Sequence, residues 1–276
     1  MQSHFAELVS RRTFLTTPAL LGAGAITASI HGSQQPASVG AADPTVIEDV
    51  VAAYRILAQH EVLDGFGHVS SRHSQSPNRF VMSRSLAPEL VTPEDLMEFD
   101  LDGNPVDARG RAPYSERFIH AEIYRARADV KAVVHAHTPS LIPYGVTGVP
   151  LRAVFHMASF IGDGVPVFDI RKTFGMTDML VNDTAKGRAL AQTLGGKTCA
   201  LMRGHGVVVV GSSIPIAVGR SIYLDLNARI QTQSMALAGG RVTYLDPQES
   251  RKVMEAGENR GYERAWELWK SKASRP

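Results

Sequence analysis

Apolar runs of two lengths alternate along the chain from residue 43 onwards, and each length predicts a different element. Residues 132–137 form a short apolar, β-branched run that contains two histidines, and residues 198–202 and 207–210 form further runs of this kind. Such runs are typical of buried strands. Apolar positions recur with helical spacing over residues 44–60, which open with a proline, and over residues 215–238, which two glycines follow. The pattern therefore predicts an α/β protein.

The remaining segments complete one predicted domain. We expect strands at residues 69–72, 80–83 and 151–155, a hairpin at 96–106, and a helix at 116–127 with Ser115 as its N-cap. The hairpin and the short spacing between strands favour a mixed sheet over a doubly wound parallel sheet. The pattern offers no second apolar core, so the sequence predicts a single α/β domain built on a mixed sheet.

Two histidines share one face of the strand predicted at residues 132–137. Side chains alternate along a strand, so His135 and His137 lie side by side, about 7 Å apart along it, and both can reach one metal ion. His205 lies between two glycines and between the two other buried runs. A lone histidine on an apolar strand is often an ordinary core residue, but two on one buried face both need partners. Three histidines that leave a fourth position open are typical of a catalytic metal site.

Glu116 is the predicted fourth member of this site. It falls in the first turn of its helix, where the helix dipole favours a carboxylate whatever its function. His120 follows one helical turn later on the same face, and the helix leads within a dozen residues into the histidine strand. A carboxylate beside a divalent cation can be a ligand or can move protons, so Glu116 is the candidate catalytic residue.

Composition and charge exclude several other classes of function. The chain has 276 residues, a formal net charge of +2 and 20% charged residues, which gives no sign of a nucleic-acid surface. Its single cysteine, Cys199, excludes an internal disulfide and a cysteine-rich metal site. The sequence contains neither the glycine-rich dinucleotide fingerprint nor the phosphate-loop lysine motif, so nucleotide chemistry is not expected.

The N-terminal segment resembles an export signal. Residues 10–15 contain paired arginines, and a mildly apolar stretch at 18–30 is followed by small and polar residues up to Ala42. That stretch is too short for a transmembrane helix, so no membrane anchor is expected. We predict a twin-arginine-type leader over residues 1–42 and a catalytic domain over 43–276. The mature protein would then be periplasmic or secreted, and cytoplasmic if the leader is not a signal.

An ordered set of motifs resembles the class II aldolase/adducin family. The set consists of Ser115-Glu116, His120, residues 133–137, residues 155–157 and residues 204–206, and the resemblance spans residues 46–240. It implies an α/β/α fold around a central mixed, largely antiparallel sheet, and a homotetramer with active sites near subunit interfaces. It also implies that His135, His137 and His205 ligate one divalent metal ion per subunit. Glu116 would then be the acid/base and would also touch the metal.

Three places where the sugar-phosphate aldolases of this family bind phosphate with small residues are altered here. They hold Gly67-His68, Ser83-Arg84-Ser85 and Tyr114-Ser115. Arg84 adds a planar, bidentate donor suited to a carboxylate, and His68 adds a donor that can be cationic. The predicted substrate-binding residues are therefore Arg84, His68, Ser83, Ser85, Ser115 and Tyr114, with His156 as a weaker candidate. The competing interpretation is that Arg84 only pairs with a nearby carboxylate such as Glu89 or Asp95.

The segments that hold these altered residues resemble those of the family's decarboxylases, which act on hydroxylated aromatic or pyridine dicarboxylates. The predicted function is a divalent-metal-dependent lyase that decarboxylates a hydroxylated aromatic or keto carboxylic acid through a metal-stabilised enolate. Three imidazoles and a carboxylate accept zinc, manganese, cobalt or iron. The expected partner is a small-molecule carboxylate and not a nucleic acid. Three alternatives stay open: an aldolase or epimerase on a sugar phosphate or hydroxy-keto acid, a metal-dependent oxygenase, and a non-catalytic adducin-like interaction module.

Overall fold

Seven strands form one sheet in the part of the chain that the structure describes. The structure is a computed structural model and describes residues 37–274, apart from the side chains of residues 258–261. The strands are β1 (His68–Arg72), β2 (Arg79–Ser83), β3 (Leu96–Asp100), β4 (Ala132–Ala136), β5 (Val167–Phe168), β6 (Cys199–Met202) and β7 (Gly206–Gly211). Their order is β3-β2-β1-β4-β7-β6-β5, and only β5 and β6 are parallel. The predicted mixed, largely antiparallel sheet is confirmed.

Helices cover both faces of this sheet. They are α1 (Pro44–Gln59), α2 (Arg117–Ala126), α3 (Ile142–Val146), α4 (Arg171–Phe174), α5 (Thr184–Leu194), α6 (Ile214–Leu237), α7 (Pro247–Glu255) and α8 (Glu258–Ala273), with 3-10 turns at Pro88–Leu90, Pro93–Asp95 and His156–Ile161. One apolar core packs α1, α6 and α8 on the sheet, and a second packs α2 and α5 on the opposite face. This arrangement confirms the predicted α/β/α fold.

Successive side chains of the central strand β4 contribute alternately to the two cores. Val134 belongs to the core under α1 and α6, whereas Val133 belongs to the core under α2 and α5. Because side chains alternate along a strand, His135 points to the same side as Val133. The first predicted metal ligand therefore faces helix α2, at whose start Glu116 lies.

The strand predicted at residues 151–155 is wrong, because that segment pairs with a helix. Its backbone forms hydrogen bonds with two buried side-chain amides of α6. Arg152 N donates to Gln231 Oε1 at 2.9 Å, and Val154 N donates to Asn227 Oδ1 at 3.0 Å. The amide nitrogens of Asn227 and Gln231 donate in turn to the carbonyls of Arg152 and Pro150, each at 2.9 Å. Side-chain amides thus satisfy an extended backbone that a neighbouring strand would otherwise pair.

Replacement of Gln231 tests this pairing. Gln231→Ala leaves the backbone N–H of Arg152 and the carbonyl of Pro150 without their partners, so we expect the free energy of unfolding to fall by about 2–4 kcal/mol. Urea unfolding at a fixed protein concentration measures the change. Gln233→Ala is the matched control, since Gln233 is an exposed residue of the same helix. Equal effects of the two substitutions would contradict the role assigned to Gln231.

The predicted leader falls mostly outside the described residues. The paired arginines within residues 10–15 and the apolar stretch at 18–30 both lie there. Ser38, near the end of the predicted leader, donates from Oγ to Glu98 Oε2 of β3 at 2.6 Å. Among residues 37–274, no helix is both long enough and apolar enough to span a bilayer. The boundary at residue 42 stays a prediction.

Candidate active site

Three histidines and one glutamate meet at one end of the central strands. His135 lies in β4, His137 follows directly after β4, and His205 lies in the turn between β6 and β7. This turn lies close to the end of β4 because β4 pairs with β7, with Ala136 opposite Val207. One ligand atom from each histidine and from Glu116 fits into a cluster in which all four atoms lie within 4.8 Å of one another. The residues predicted as metal ligands are therefore neighbours in space.

Four of the distances between ligand atoms in this cluster are close to those expected around one bound metal ion. His137 Nε2 lies 3.2 Å from His135 Nε2 and 3.2 Å from His205 Nε2. Glu116 Oε2 lies 3.6 Å from His135 Nε2 and 3.5 Å from His205 Nε2. Ligands about 2.1 Å from a tetrahedral zinc ion would be roughly 3.4 Å apart. These spacings fit one bound cation.

The hydrogen bonds of the histidines fix which nitrogen faces the cluster. The Nδ1 atoms of His135 and His205 donate to the carbonyls of Val207 and Met179, each at 3.1 Å. A carbonyl can only accept, so in the neutral rings both Nε2 atoms present lone pairs. The Nδ1 of His137 lies 3.0 Å from a carboxylate oxygen of Asp64, which imposes the same tautomer. Lone pairs that face one another at 3.2 Å repel unless a proton or a metal ion lies between them.

The glycines beside His205 are required by the backbone. Gly204 has a φ of +63°, in the left-handed region that favours glycine. At Gly206 an added Cβ would lie 2.1 Å from the carbonyl oxygen of Ala136 on the paired strand β4. The first glycine makes the turn and the second permits close strand pairing. Together they hold His205 against the end of β4.

Glu116 is buried and held by the backbone. Its side chain accepts a hydrogen bond from Val181 N at 2.8 Å through Oε1, which leaves Oε2 facing the imidazoles. Burial would raise the pKa of Glu116, but hydrogen bonds and positive charge from His135 and His205, when those rings also carry a proton on Nε2, lower that pKa far below its usual range. The group is therefore a carboxylate. Helix α2 begins only at Arg117, and the predicted N-cap Ser115 is exposed and lines the cavity instead.

An open cavity of about 680 Å³ leads from the surface to this cluster. Glu116, His137 and His205 contribute to its wall. Of the predicted substrate-binding residues, the cavity is lined by His68, Ser85, Tyr114 and Ser115. Apolar side chains cover much of the remaining wall, namely Phe66, Leu86, Ala87, Met179 and Leu180.

Comparison with known proteins places this site in a family. Residues 48–232 match the family model of the class II aldolase and adducin N-terminal domain. The chain belongs to this family. Decarboxylase tropJ of Talaromyces stipitatus is 38% identical over 245 residues, which cover 81% of this chain and 92% of that protein. The 3,4-dihydroxyphthalate decarboxylase of Arthrobacter keyseri is 28% identical over 79% of this chain and 90% of its own length.

A solved structure agrees with this assignment at the level of the fold. The aldolase II superfamily protein from Pseudomonas syringae superposes with a TM-score of 0.70 at 24% identity, over 83% of this chain and 92% of that chain. Membership in the class II aldolase/adducin family confirms the predicted resemblance and the predicted enzyme class, a lyase. The ligand and substrate roles of individual residues stay predictions.

Arg84 is the main correction to the predicted site. Its Nε donates to Asp95 Oδ1 at 2.6 Å, and Arg84 does not line the cavity. The competing interpretation, in which Arg84 pairs with a nearby carboxylate, describes the contact in the structure. The backbone explains it, because Arg84 N also donates to the Asp95 carbonyl at 2.8 Å and so brings the two residues together.

Two further predicted residues lie away from the cavity. Ser83 is fully buried in β2 and donates to the carbonyl of Arg84 at 2.8 Å. His156 is exposed in the 3-10 turn at His156–Ile161 and does not line the cavity either. Neither side chain reaches the cavity of this class II aldolase/adducin family member.

His68 lines the cavity, but as a neutral group. Burial lowers the pKa of His68 well below its ordinary value, and the neighbouring His120 lowers it further. The expectation that His68 can be cationic is therefore wrong. His120 is fully buried, and burial lowers its pKa to about 3. His68 can offer the substrate a neutral imidazole.

Asp64 contacts the predicted ligand His137, and no sequence pattern indicated this contact. Its Oδ1 accepts hydrogen bonds from the backbone of Phe66 and Gly67, both at 2.9 Å, and its Oδ2 accepts from His137. Burial would raise the pKa of Asp64, but these hydrogen bonds lower it below its ordinary value. The carboxylate therefore fixes the loop before β1 and orients one predicted metal ligand. Outer carboxylates of this kind are common partners of metal-binding histidines.

Proposed function

We propose that this class II aldolase/adducin family member is a divalent-metal-dependent decarboxylase of an aromatic acid that carries a hydroxyl beside its carboxylate. The observation that carries the proposal is the pairing of the His135, His137, His205 and Glu116 cluster with a cavity walled by Phe66, Leu86 and Leu180. A flat apolar wall suits an aromatic ring, and such pockets bind through few polar groups. The two relatives described above are both named as decarboxylases.

The cation would be held by three imidazoles and one carboxylate. When bound, a divalent ion acts as a Lewis acid at a substrate oxygen and so stabilises negative charge that develops there. His135 and His205 are oriented by backbone carbonyls, and His137 by Asp64. These partners keep all three lone pairs directed at one point without rearrangement. We infer one ion per subunit, with zinc, manganese, cobalt and iron all compatible with this donor set.

Glu116 is the proposed proton carrier. As a carboxylate it can accept the proton of the substrate hydroxyl, and Val181 N holds its other oxygen in place. The bond between the ring carbon and the carboxylate carbon then breaks, CO₂ leaves, and the electron pair stays with the ring. The carbon takes a proton in exchange, and Glu116 returns the one that it accepted. The proposed step balances with no other reactant.

Arg84 lies outside the cavity, and this favours decarboxylation over tight binding of the substrate carboxylate by an ion pair. Among the described residues that line the cavity, none is an arginine or a lysine. An ion pair would stabilise the substrate carboxylate, whose charge disappears as CO₂ forms, and would therefore slow the step. The exposed hydroxyls of Ser85 and Ser115 and the neutral ring of His68 offer weaker hydrogen bonds instead. We propose these three groups as the carboxylate contacts.

A matched substrate panel tests the proposal. Purified protein is supplied with aromatic acids whose hydroxyl lies beside the carboxylate, with isomers whose hydroxyl lies across the ring, and with sugar-phosphate aldol substrates. We expect CO₂ release from the first group alone, loss of it with a chelator, and recovery on addition of a divalent ion. Aldehyde release from the sugar phosphates, or CO₂ release that resists the chelator, would contradict the proposed function.

We also infer a homotetramer with active sites near subunit interfaces. Phe66 is 75% exposed and Leu180 is 37% exposed, and both line the cavity. Large apolar side chains exposed together are typical of surfaces that another chain covers. The export signal and a periplasmic or secreted location stay predictions that depend on residues 1–42.

A further inference from the structure

Four buried polar groups form a hydrogen-bonded row behind the cavity. His68 Nδ1 lies 2.7 Å from His120 Nε2, and His120 Nδ1 lies 2.6 Å from Ser70 Oγ. Ser70 Oγ lies 2.8 Å from the hydroxyl of Tyr124. The exposed fraction of each residue is at most 2%. The row begins at the cavity wall, which His68 lines, and ends inside the core beneath α2.

The hydrogens of this row can be placed by counting donors and acceptors. In the described part of the chain the Tyr124 hydroxyl has two hydrogen-bond partners, the backbone of Val133 and Ser70. The N–H of Val133 can only donate, so the phenol hydrogen points to Ser70 Oγ. Ser70 must then donate to His120 Nδ1. The hydrogen of His120 is left on Nε2 and points to His68 Nδ1. The reverse order would leave a buried O–H with no acceptor, which is unfavourable.

We propose that Ser70 is a positioning residue that acts through His120 to keep the hydrogen of His68 on Nε2, so that the cavity receives an N–H donor. Nδ1 of His68 is used as an acceptor, so Nε2 is the nitrogen that remains for the substrate. The hydrogen of His68 cannot move to Nδ1 unless the hydrogen bonds of His120 and Ser70 also reverse their direction. Tyr124 supports Ser70 from behind. Neither Ser70 nor Tyr124 lines the cavity.

A fixed N–H donor has a specific use in the proposed decarboxylation, on which this part of the inference rests. A neutral donor can stabilise an oxygen that gains negative charge as CO₂ leaves. It does so without the strong ground-state ion pair that a cationic histidine would form with the carboxylate. The ring of His68 lies beside the predicted ligand His135, with ring centres 5.0 Å apart. A substrate oxygen bound at the cluster is therefore close to this ring.

¹⁵N NMR of histidine-labelled protein tests the tautomer directly and independently of any activity. The experiment uses the full chain with Zn²⁺ added, and His68→Gln and His120→Gln spectra assign the two rings. We expect the hydrogen on Nε2 in both rings. A hydrogen on Nδ1 of His68 would overturn the inference.

Two substitutions separate positioning from packing. Ser70→Ala removes the donor to His120 Nδ1, so we expect the His68 signals to shift toward the second tautomer and kcat to fall about tenfold, with KM little changed. Tyr124→Phe also deletes a buried hydroxyl, but it leaves His120 as the only acceptor for Ser70. That variant should therefore keep the tautomer and should keep kcat within about twofold. Ser70→Thr retains a hydroxyl and should retain the wild-type signals.

The outcomes distinguish this inference from the proposed function. If the tautomer is as expected but no CO₂ is released from any aromatic acid, the decarboxylase proposal fails and the positioning role of Ser70 stands. If Ser70→Ala leaves the His68 signals unchanged, Ser70 does not set the tautomer and the inference fails. Equal effects of Ser70→Ala and Tyr124→Phe on the His68 signals would also overturn it. If Ser70→Ala does not fold, the wild-type spectrum decides alone.

Discussion

His135→Ala is expected to abolish both stoichiometric metal binding and turnover. Loss of an outer partner of a metal ligand typically costs about 10- to 100-fold in affinity or activity, so loss of a ligand should cost more than about 100-fold. The effect should be large at this position, because alanine has no ligand atom and His135 is fully buried within the cluster. Elemental analysis and CO₂ release measure the two quantities on the same sample.

Two companion variants calibrate this result. His156→Ala removes an exposed histidine away from the cavity, so metal content should stay at the wild-type level. Asp64→Asn weakens only the orientation of His137. We expect its metal affinity or activity to fall by about 10- to 100-fold, between the values of His156→Ala and His135→Ala. Full metal content in the His135→Ala protein would show that the cluster is not the metal site.

The metal cluster was predictable in part from local sequence. His135 and His137 share a face because a strand has a period of two, which requires no knowledge of the fold. His205 and Glu116 lie 70 and 19 residues from His135 along the chain. Their contact with it depends on the pairing of β4 with β7 and on the packing of α2 against the sheet. For these two residues the sequence pattern indicated candidates, and the family resemblance implied that His205 shares one ion with His135 and that Glu116 also touches it.

The wrong predictions for Arg84 and for residues 151–155 have a common physical cause. In each case a group had more than one possible hydrogen-bond partner, and a partner other than the predicted one lies nearer. Arg84 was expected to face a substrate carboxylate, but Asp95 is fixed beside it by backbone pairing and satisfies the guanidinium first. The residues at 151–155 were expected to pair with a strand, but the amides of Asn227 and Gln231 occupy their backbone groups. Sequence patterns indicate which groups need partners. They do not indicate which partner is nearest.

Asp64 and Ser70 were missed for a related reason. Aspartate before glycine is typical of a turn, and Asp64 does accept two backbone hydrogen bonds there. Its second oxygen reaches His137, 73 residues away along the chain, and nothing local reports that contact. Ser70 resembles any small polar residue in a strand until the neighbouring helix places His120 and Tyr124 against it.

Glu116→Gln is expected to lower kcat by about 10²- to 10⁴-fold, the range that a general acid or base contributes. The amide keeps the shape of the side chain and can still accept the hydrogen bond from Val181 N through its oxygen. It cannot accept the proton of a substrate hydroxyl, so the carbon that loses CO₂ has no source for the returned proton. The three imidazoles remain, and the assay is run with metal in excess so that weaker binding does not limit the rate.

The division of the effect between kcat and KM decides what Glu116 does. If Glu116 only helps to hold the cation, excess metal should restore most of the rate. If it carries the proton, kcat should stay low at saturating metal while KM for the aromatic acid changes little. Glu89→Gln, at an exposed glutamate outside the cavity lining, should leave both constants unchanged. A Glu116→Gln rate well above about a hundredth of the wild-type rate would contradict the proton-carrier role, because a proton carrier contributes at least about 10²-fold.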